Sequence, residues 1–171
     1  MTNAHRLAPL LTPRSIAIIG ASATPDSVGN TSVRMAKRGD YKGRIFPINP
    51  KYAEIEGLPC YPSLASLPEP VDMAVLCVAN HRLEDTFKDA IANKVRAVTF
   101  FSSGYLEGDT DPPLARRLAR LAKEAGMPVC GGNCMGFYNL DIELFLSFGW
   151  PPYKARPGTV ALLSHSGSSF S

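Results

Sequence analysis

No stretch of about 18 consecutive apolar residues occurs anywhere in the chain, so no membrane-spanning helix is expected. No secretory leader is expected either, because Pro9 and Pro13 interrupt the short apolar stretch of the N-terminal MTNAHRLAPLLTPRS. Charge of one sign is nearly absent as a surplus: 18 Lys+Arg stand against 15 Asp+Glu, a formal net charge of +3. That balance points to neither nucleic acid nor an acidic membrane, and suits an anionic small ligand only weakly. The cysteines, Cys60, Cys77, Cys130 and Cys134, contain no C-x-x-C pair. Reduced thiols in a cytoplasmic protein are therefore expected, and no zinc site. The dinucleotide fingerprint is missing too. After Gly20 it requires glycines at positions 22 and 25, where this chain has Ser22 and Pro25.

What remains is an ordinary globular composition, 45% hydrophobic and 19% charged over 171 residues, enough for one full domain and the start of another. Apolar runs predict strands at Ser15–Ile19, Arg44–Ile48, Met73–Val78, Ala97–Phe101, Val129–Cys130 and Thr159–Ser164. Helices are expected near Asn30–Arg38, at a short piece over Ser63–Leu67, and near His81–Asn93. A further helix begins after Asp111, which serves as its cap with Pro112 and Pro113 in the first turn, and ends at Gly126. Its apolar stripe is Leu114, Leu118, Leu121, Ala122 and Ala125, leaving Arg116, Arg117, Arg120 and Lys123 on a solvated face. GGNCMGFYN reads as a loop. Alternating strands and helices predict an α/β fold, a Rossmann-like doubly wound and mainly parallel sheet. The proline-rich GWPPYKARPG marks a boundary, dividing the chain into a domain over 1–150 and, over 151–171, a linker with the start of a truncated second domain.

In such sheets ligands sit beyond the strand C-termini. Here those ends carry GAS, NPK, ANH, SSG, GGN and SHSG, rich in glycine, serine and asparagine, which let backbone N–H groups approach a ligand closely. The acid that would hold an NAD ribose is absent from the second strand's end. Asp40 has the right count from Gly20 but falls in the turn before that strand, and Asn49 and Lys51 stand where the carboxylate belongs. A lysine there favours a ribose phosphate, which permits NADP or coenzyme A. The glycine-rich loops at Ser103–Gly104 and Gly131–Gly136 suit a long pantetheine arm, and equally suit ordinary tight turns of a doubly wound sheet.

PRSIAIIGAS, GRIFPINPK with EIEGLPCYPSLASLP, VDMAVLCV, GNCMGF and PGTVALLSHSG, in that order, resemble the N-terminal CoA-binding domain of NDP-forming acyl-CoA synthetases. That family includes the succinyl-CoA synthetase α subunit and the ADP-forming acetate–CoA ligases. The resemblance implies that CoA lies across the strand ends. Gly20, Ala21 and Ser22 would hold its nucleotide end, and Lys51 would face its phosphates. Val78, Ala79 and Asn80 would line the adenine or ribose region, Ser103 and Gly104 the pantetheine arm, and Asn133 and Cys134 the thiol end. It further implies a whole enzyme that joins a carboxylic acid to CoA with ATP and Mg²⁺. Its acyl phosphate and phosphohistidine steps would be carried by phosphohistidine and ATP-grasp domains beyond this chain, so this part would bind CoA without completing the reaction. The chain departs from the family at Gly132, where GPNC becomes GGNC, at Ala79, where VP becomes VA, and in SHSG. GNCMGFYN with SHSGSSFS is similar to the branch acting on aromatic acids, such as feruloyl-CoA synthetases. An NADP-binding oxidoreductase domain and a stand-alone CoA-binding regulatory protein are the rivals.

No residue of this chain is expected to be catalytic. A histidine suits phosphoryl transfer, since one ring nitrogen is nucleophilic while the other is held. His165, however, stands where relatives carry Gln or Arg, and the family's phosphohistidine comes from the second domain. His81 opens a helix and His5 lies in the terminus, so both read as surface residues. Cys134, without a paired histidine, reads as structural or CoA-adjacent. S-H-S-G lacks the first glycine of the hydrolase elbow, which excludes that reading.

Overall fold

The computed structural model describes residues 5–148 and 156–164. A short helix α1 (Ala8–Leu11) leads into strand β1 (Ser15–Ile19), helix α2 (Val28–Arg38) and strand β2 (Arg44–Ile48). A small hairpin follows, β3 (Glu54–Ile55) and β4 (Leu58–Pro59), then a 3-10 turn at Leu64–Ser66 and strand β5 (Met73–Leu76). Helix α3 (Asn80–Ala92), strand β6 (Ala97–Phe100), helix α4 (Leu114–Glu124) and strand β7 (Val129–Cys130) complete the main sheet. A second hairpin, β8 (Gly136–Asn139) and β9 (Leu144–Ser147), closes the fold. The five sheet strands run parallel in the order β2-β1-β5-β6-β7.

The side-chain period of two along each strand builds two apolar layers. Ile16, Ile18, Met73, Val75 and Ala97 face one side, against Val33 and Ala36 of α2 and Leu144 and Leu146 of β9. Ala17, Ala74, Leu76, Val98 and Phe100 face the other, against Leu83, Phe87 and Ala90 of α3 and Leu114, Leu118 and Ala122 of α4. Because both faces are covered, the strands read as unbroken apolar runs rather than as alternation. Each fully buried Leu or Phe in these layers contributes about 1.5–3 kcal/mol. The doubly wound α/β architecture expected from the alternation is therefore present, with the β8–β9 hairpin and α2 sharing one face. No helix among the described residues is long and apolar enough to cross a membrane.

β1, β2 and β7 have the predicted bounds, and β5 and β6 end one or two residues early. Several expectations need correction. Residues 159–164 form no strand: Val160 and Leu163 are 91% and 97% exposed, and no neighbouring strand among the described residues accepts their backbone groups. GGNCMGFYN is not all loop, since Gly136–Asn139 pairs with Leu144–Ser147 as an antiparallel hairpin. Helix α4 begins at Leu114, after both prolines, and its first free N–H is taken by Asp109 Oδ2 at 2.5 Å, not by Asp111. Ala125 lies outside the buried stripe.

The basic face of α4 also divides. Arg116, Arg120 and Lys123 are solvated, but the Arg117 side chain is only 16% exposed. Its Nε donates to Glu84 Oε2 of α3 at 2.7 Å and its Nη1 to Asp109 Oδ1 at 3.0 Å, tying α4 to α3 and to its own cap. Hydrogen bonds from Lys88 and Arg117 hold the Glu84 carboxyl below its ordinary range, and the Leu114 N–H and Arg117 do the same for Asp109. Carboxyls depressed in the folded state stabilise above their unfolded pKa values and lose that stabilisation as pH falls through the folded ones. Urea midpoints are thus expected to hold steady down to about pH 5 and to fall below about pH 4. Arg117→Met should make that acid decline shallower. Parallel declines in parent and variant would remove the triad as its cause.

Candidate functional site

The register brings the strand C-termini level: Ile19 pairs with Ile48 and Leu76, Leu76 with Phe100, and Thr99 with Cys130. The first residues beyond them, Gly20, Asn49, Cys77, Phe101 and Gly131, open one continuous rim. The chain leaves β1 for β2 on one side and later returns to β5 on the other, so the topological switch point lies between the β1 and β5 loops. The two loops touch there. Gly20 has φ +83°, and a Cβ on it would stand 2.4 Å from the Cys77 carbonyl oxygen and 3.3 Å from Val78 Cγ1. Only glycine combines that backbone with that approach.

The loop after β1 is longer than a dinucleotide loop but equally well anchored. Gly29, in the first turn of α2, would place a Cβ 2.1 Å from the Gly20 carbonyl oxygen, so the helix N-terminus presses flush on the loop. Ser27 caps α2, its Oγ accepting the Asn30 N–H at 3.2 Å. Asn30, 2% exposed, donates through Nδ2 to the Ser22 carbonyl at 3.1 Å and to Glu56 Oε1 of the β3–β4 turn at 2.8 Å. Asn49 Nδ2 donates to the Ala21 carbonyl at 2.7 Å, and Asn49 Oδ1 accepts the Lys51 N–H at 3.0 Å. Asn49 therefore bridges the β1 and β2 loops. Ala21 is fully buried, and its side chain belongs to the core. The Lys51 side chain is exposed and forms no ion pair among the described residues.

Beside the switch point an apolar cavity of about 410 Å³ is lined by Val28, Leu76, Cys77, Val78, Ala79, Phe101, Ser102 and Phe148. Burial pushes the Cys77 thiol up to about 12, with Ser32 Oγ 3.2 Å from its sulfur, so this wall stays uncharged at neutral pH. Asn80, at the start of α3, crosses to the next loop: its Nδ2 donates to Ser103 Oγ and its Oδ1 accepts the Gly104 N–H, both at 3.0 Å. Ala79, the residue before α3, supplies no side-chain cap, and its carbonyl accepts the Arg82 N–H at 2.9 Å. A second cavity, about 210 Å³ between Leu64–Val71 and Asn93 and Val95, lies by the strand starts and collects no such groups.

At the far end of the rim the Asn133 N–H donates to the Ser102 carbonyl at 2.9 Å, and Cys134 Sγ lies 3.4 Å from the Phe100 carbonyl. The fold thus gathers Gly20, Ser22, Val78, Ala79, Asn80, Ser103, Gly104, Asn133 and Cys134 along the strand ends, with Lys51 at one extremity and Ala21 turned inward. His81 is exposed at the start of α3, whereas His165 and the glycine and serines after it lie outside the described residues. No group of three or more His, Cys, Asp or Glu able to hold a metal occurs among the described residues. Sequence reasoning missed Asn30, Glu56, Phe101 and Ser102. Gly29 alone had a signal, as the next glycine in a loop whose fingerprint spacing had failed.

The model of the CoA binding domain family matches residues 14–139. An ADP-forming acetate–CoA ligase from Archaeoglobus fulgidus is 33% identical over 160 residues, which are 93% of this chain and 23% of that ligase. A trans-feruloyl-CoA synthase from an unknown prokaryotic organism is 35% identical over 93% of this chain and 23% of its own length. The structure of a dinucleotide-forming acetyl-coenzyme A synthetase from Ca. Korarchaeum cryptofilum, in complex with phosphate and ADP, superposes with a TM-score of 0.77 at 33% identity, covering 84% of this chain and 31% of that one. The chain spans about a quarter of the length of the single-chain curated ligases it matches and about a third of the matched α subunits. It belongs to the CoA-binding domain family, and corresponds to the CoA-binding part of ADP-forming acyl-CoA synthetases.

Proposed function

We propose that the strand-end rim binds coenzyme A lengthwise, as the CoA site of a larger ligase that joins a carboxylic acid to CoA using ATP and Mg²⁺ in the cytoplasm. The observation that carries this reading is the contact of the β1, β5 and β6 loops at the switch point, next to an apolar cavity. Backbone N–H groups of the loop after Gly20 would face a pyrophosphate there, and the helix N-termini favour its negative charge. Gly20 and Ser22 would hold the nucleotide end by backbone contacts, and Lys51 would neutralise the ribose phosphate. Val78 and Ala79 offer an apolar wall for the adenine or ribose, while Asn80 fixes the Ser103–Gly104 turn against which the pantetheine arm would lie. Asn133 and Cys134 would border the thiol. Bound there, CoA supplies the thiol that accepts the acyl group. The acyl phosphate and phosphohistidine chemistry belongs to parts of the ligase outside this chain.

The test is a calorimetric titration with CoA, dephospho-CoA, NADP and NAD. CoA is expected to bind and NAD to be silent, since Asn49 and Lys51 stand at the end of β2 where an NAD site carries its ribose carboxylate. NADP binding with CoA silent would replace this reading with an oxidoreductase domain. Lys51→Ala is expected to weaken CoA about three- to tenfold while leaving dephospho-CoA within about twofold, as loss of one exposed charge contact predicts. Equal losses for both ligands would detach Lys51 from the 3′-phosphate.

A further inference from the structure

Two side-chain amides set the direction of the peptides that follow Gly20. Asn49 Nδ2 donates to the Ala21 carbonyl at 2.7 Å, and Asn30 Nδ2 donates to the Ser22 carbonyl at 3.1 Å. Both peptides are trans, so each C=O and the N–H that follows it point in opposite directions. Holding the Ala21 carbonyl on Asn49 therefore turns the Ser22 N–H away from Asn49. Holding the Ser22 carbonyl on Asn30 turns the Ala23 N–H away from α2. Among the described residues neither N–H meets an acceptor. The next one, the Thr24 N–H, folds back onto Ser22 Oγ at 3.0 Å and ends the free run.

Asn30 is itself held. It is buried in the first turn of α2, and its amide nitrogen lies between two acceptors, the Ser22 carbonyl and Glu56 Oε1 at 2.8 Å. Only an NH2 serves both, since an amide oxygen there would face two oxygens. The β3–β4 hairpin brings Glu56 to that point. Glu56 and Gly57 take positive φ values of 52° and 75°, which the two-residue turn between the paired Ile55 and Leu58 requires. Ile55 roots the hairpin in the apolar layer of α2, and Lys37 Nζ of that helix donates to the Glu56 carbonyl. Contacts thus run from a surface turn, through buried Asn30, to the backbone of the β1 loop.

We propose that Asn30, oriented by Glu56, is a positioning residue for CoA: with Asn49 it aims the Ser22 and Ala23 N–H groups as a preformed pair at the pyrophosphate. This rests on the reading of the rim as the CoA site. Successive backbone donors of this kind make an anion cradle. Because they are fixed before the ligand arrives, binding does not have to order the loop. Asn30 acts only through the peptide it turns. CoA and dephospho-CoA share the pyrophosphate, so both depend on Asn30 equally, whereas Lys51 distinguishes them.

The experiment is a heteronuclear NMR titration of the isotope-labelled chain with CoA and with dephospho-CoA, following the amides of Ser22, Ala23, Val78 and Gly104. It compares the parent with Asn30→Ala, Glu56→Ala and Glu56→Gln. In the parent the Ser22 and Ala23 amide protons are expected to move downfield, as donors to a phosphate do. Asn30→Ala should weaken both ligands alike, about tenfold. At saturation it should lose the Ser22 and Ala23 shifts and keep those of Val78 and Gly104. Glu56 is exposed, so its variants leave the core intact. Glu56→Ala should weaken both ligands about threefold, and Glu56→Gln, which keeps an acceptor oxygen, should restore the parent affinity. Ser22 and Ala23 shifts that survive Asn30→Ala, an equal loss at all four amides, or Glu56→Ala and Glu56→Gln binding alike would overturn the proposal and leave the CoA site standing. A parent chain in which CoA moves none of the four amides would overturn both the proposal and the reading of the rim.

Discussion

Gly29→Ala is expected to destabilise the protein by about 1–3 kcal/mol and to weaken CoA binding more than tenfold, although helix propensity alone predicts the opposite sign. Glycine inside a helix costs about 1 kcal/mol relative to alanine, so an ordinary helical position would gain from the change. At Gly29 the new Cβ would stand 2.1 Å from the Gly20 carbonyl oxygen and 3.0 Å from Ala21 Cα. Both are backbone atoms, and neither can swing away like the end of a flexible side chain. The Gly20 peptide is fixed by its N–H bond to the Ile48 carbonyl at 3.0 Å, and the Ala21 carbonyl is held by Asn49 at 2.7 Å. The overlap must therefore be relieved by lifting α2 from the β1 loop, which moves its N-terminus and the Ser22–Ser27 loop together. Urea unfolding and CoA titration of the same variant check both halves. A stabilised variant with unchanged affinity would mean that the loop yields freely and that its closeness to α2 is not what shapes the site.

Why Gly29 was only faintly legible in the sequence is a question of spacing. A dinucleotide loop places its packing glycine five residues after the first, whereas here the contact is made nine residues on, because Ser22–Ser27 forms an extra excursion before the helix. The central strands were legible because both sheet faces are covered, so SIAII and MAVL are apolar without interruption. The helix starts were less so. α2 begins at Val28 because Ser27 caps it, and α4 begins after its prolines because Asp109, five residues before Leu114, reaches the first N–H. The β8–β9 hairpin hid behind glycine and asparagine, residues that read as loop when the pairing partner is not known. For TVALLS, apolar content alone suggested a strand, but a strand also needs a neighbour, and the described residues hold none for it. At the site, residue types at strand ends were readable. The bridges that lock them were not, since Asn30 to Glu56 and Asn80 to Ser103 join positions 26 and 23 residues apart.

Asn80 gives the other large effect, and two substitutions there separate its two roles. Asn80→Ala removes the acceptor for the Gly104 N–H and the donor to Ser103 Oγ at one stroke. Gly104 is buried, so its N–H is left without a partner in an apolar setting, at a cost of about 1–3 kcal/mol. The Ser103–Gly104 turn then loses its tie to α3, and CoA affinity is expected to fall at least tenfold. Asn80→Asp keeps an acceptor for Gly104, and the Ser103 hydroxyl can rotate to become the donor. The new carboxylate also sits in the first turn of α3, where the helix dipole favours it. Stability should therefore return nearly to the parent value. Affinity should not, because the same charge now faces the phosphates proposed to lie at that helix N-terminus. Thermal unfolding and CoA titration, run on both variants, read the two quantities separately. Recovery of stability without affinity places the ligand's phosphates beside Asn80. Recovery of both would make Asn80 a loop tie alone, with the phosphates beyond reach of the α3 N-terminus.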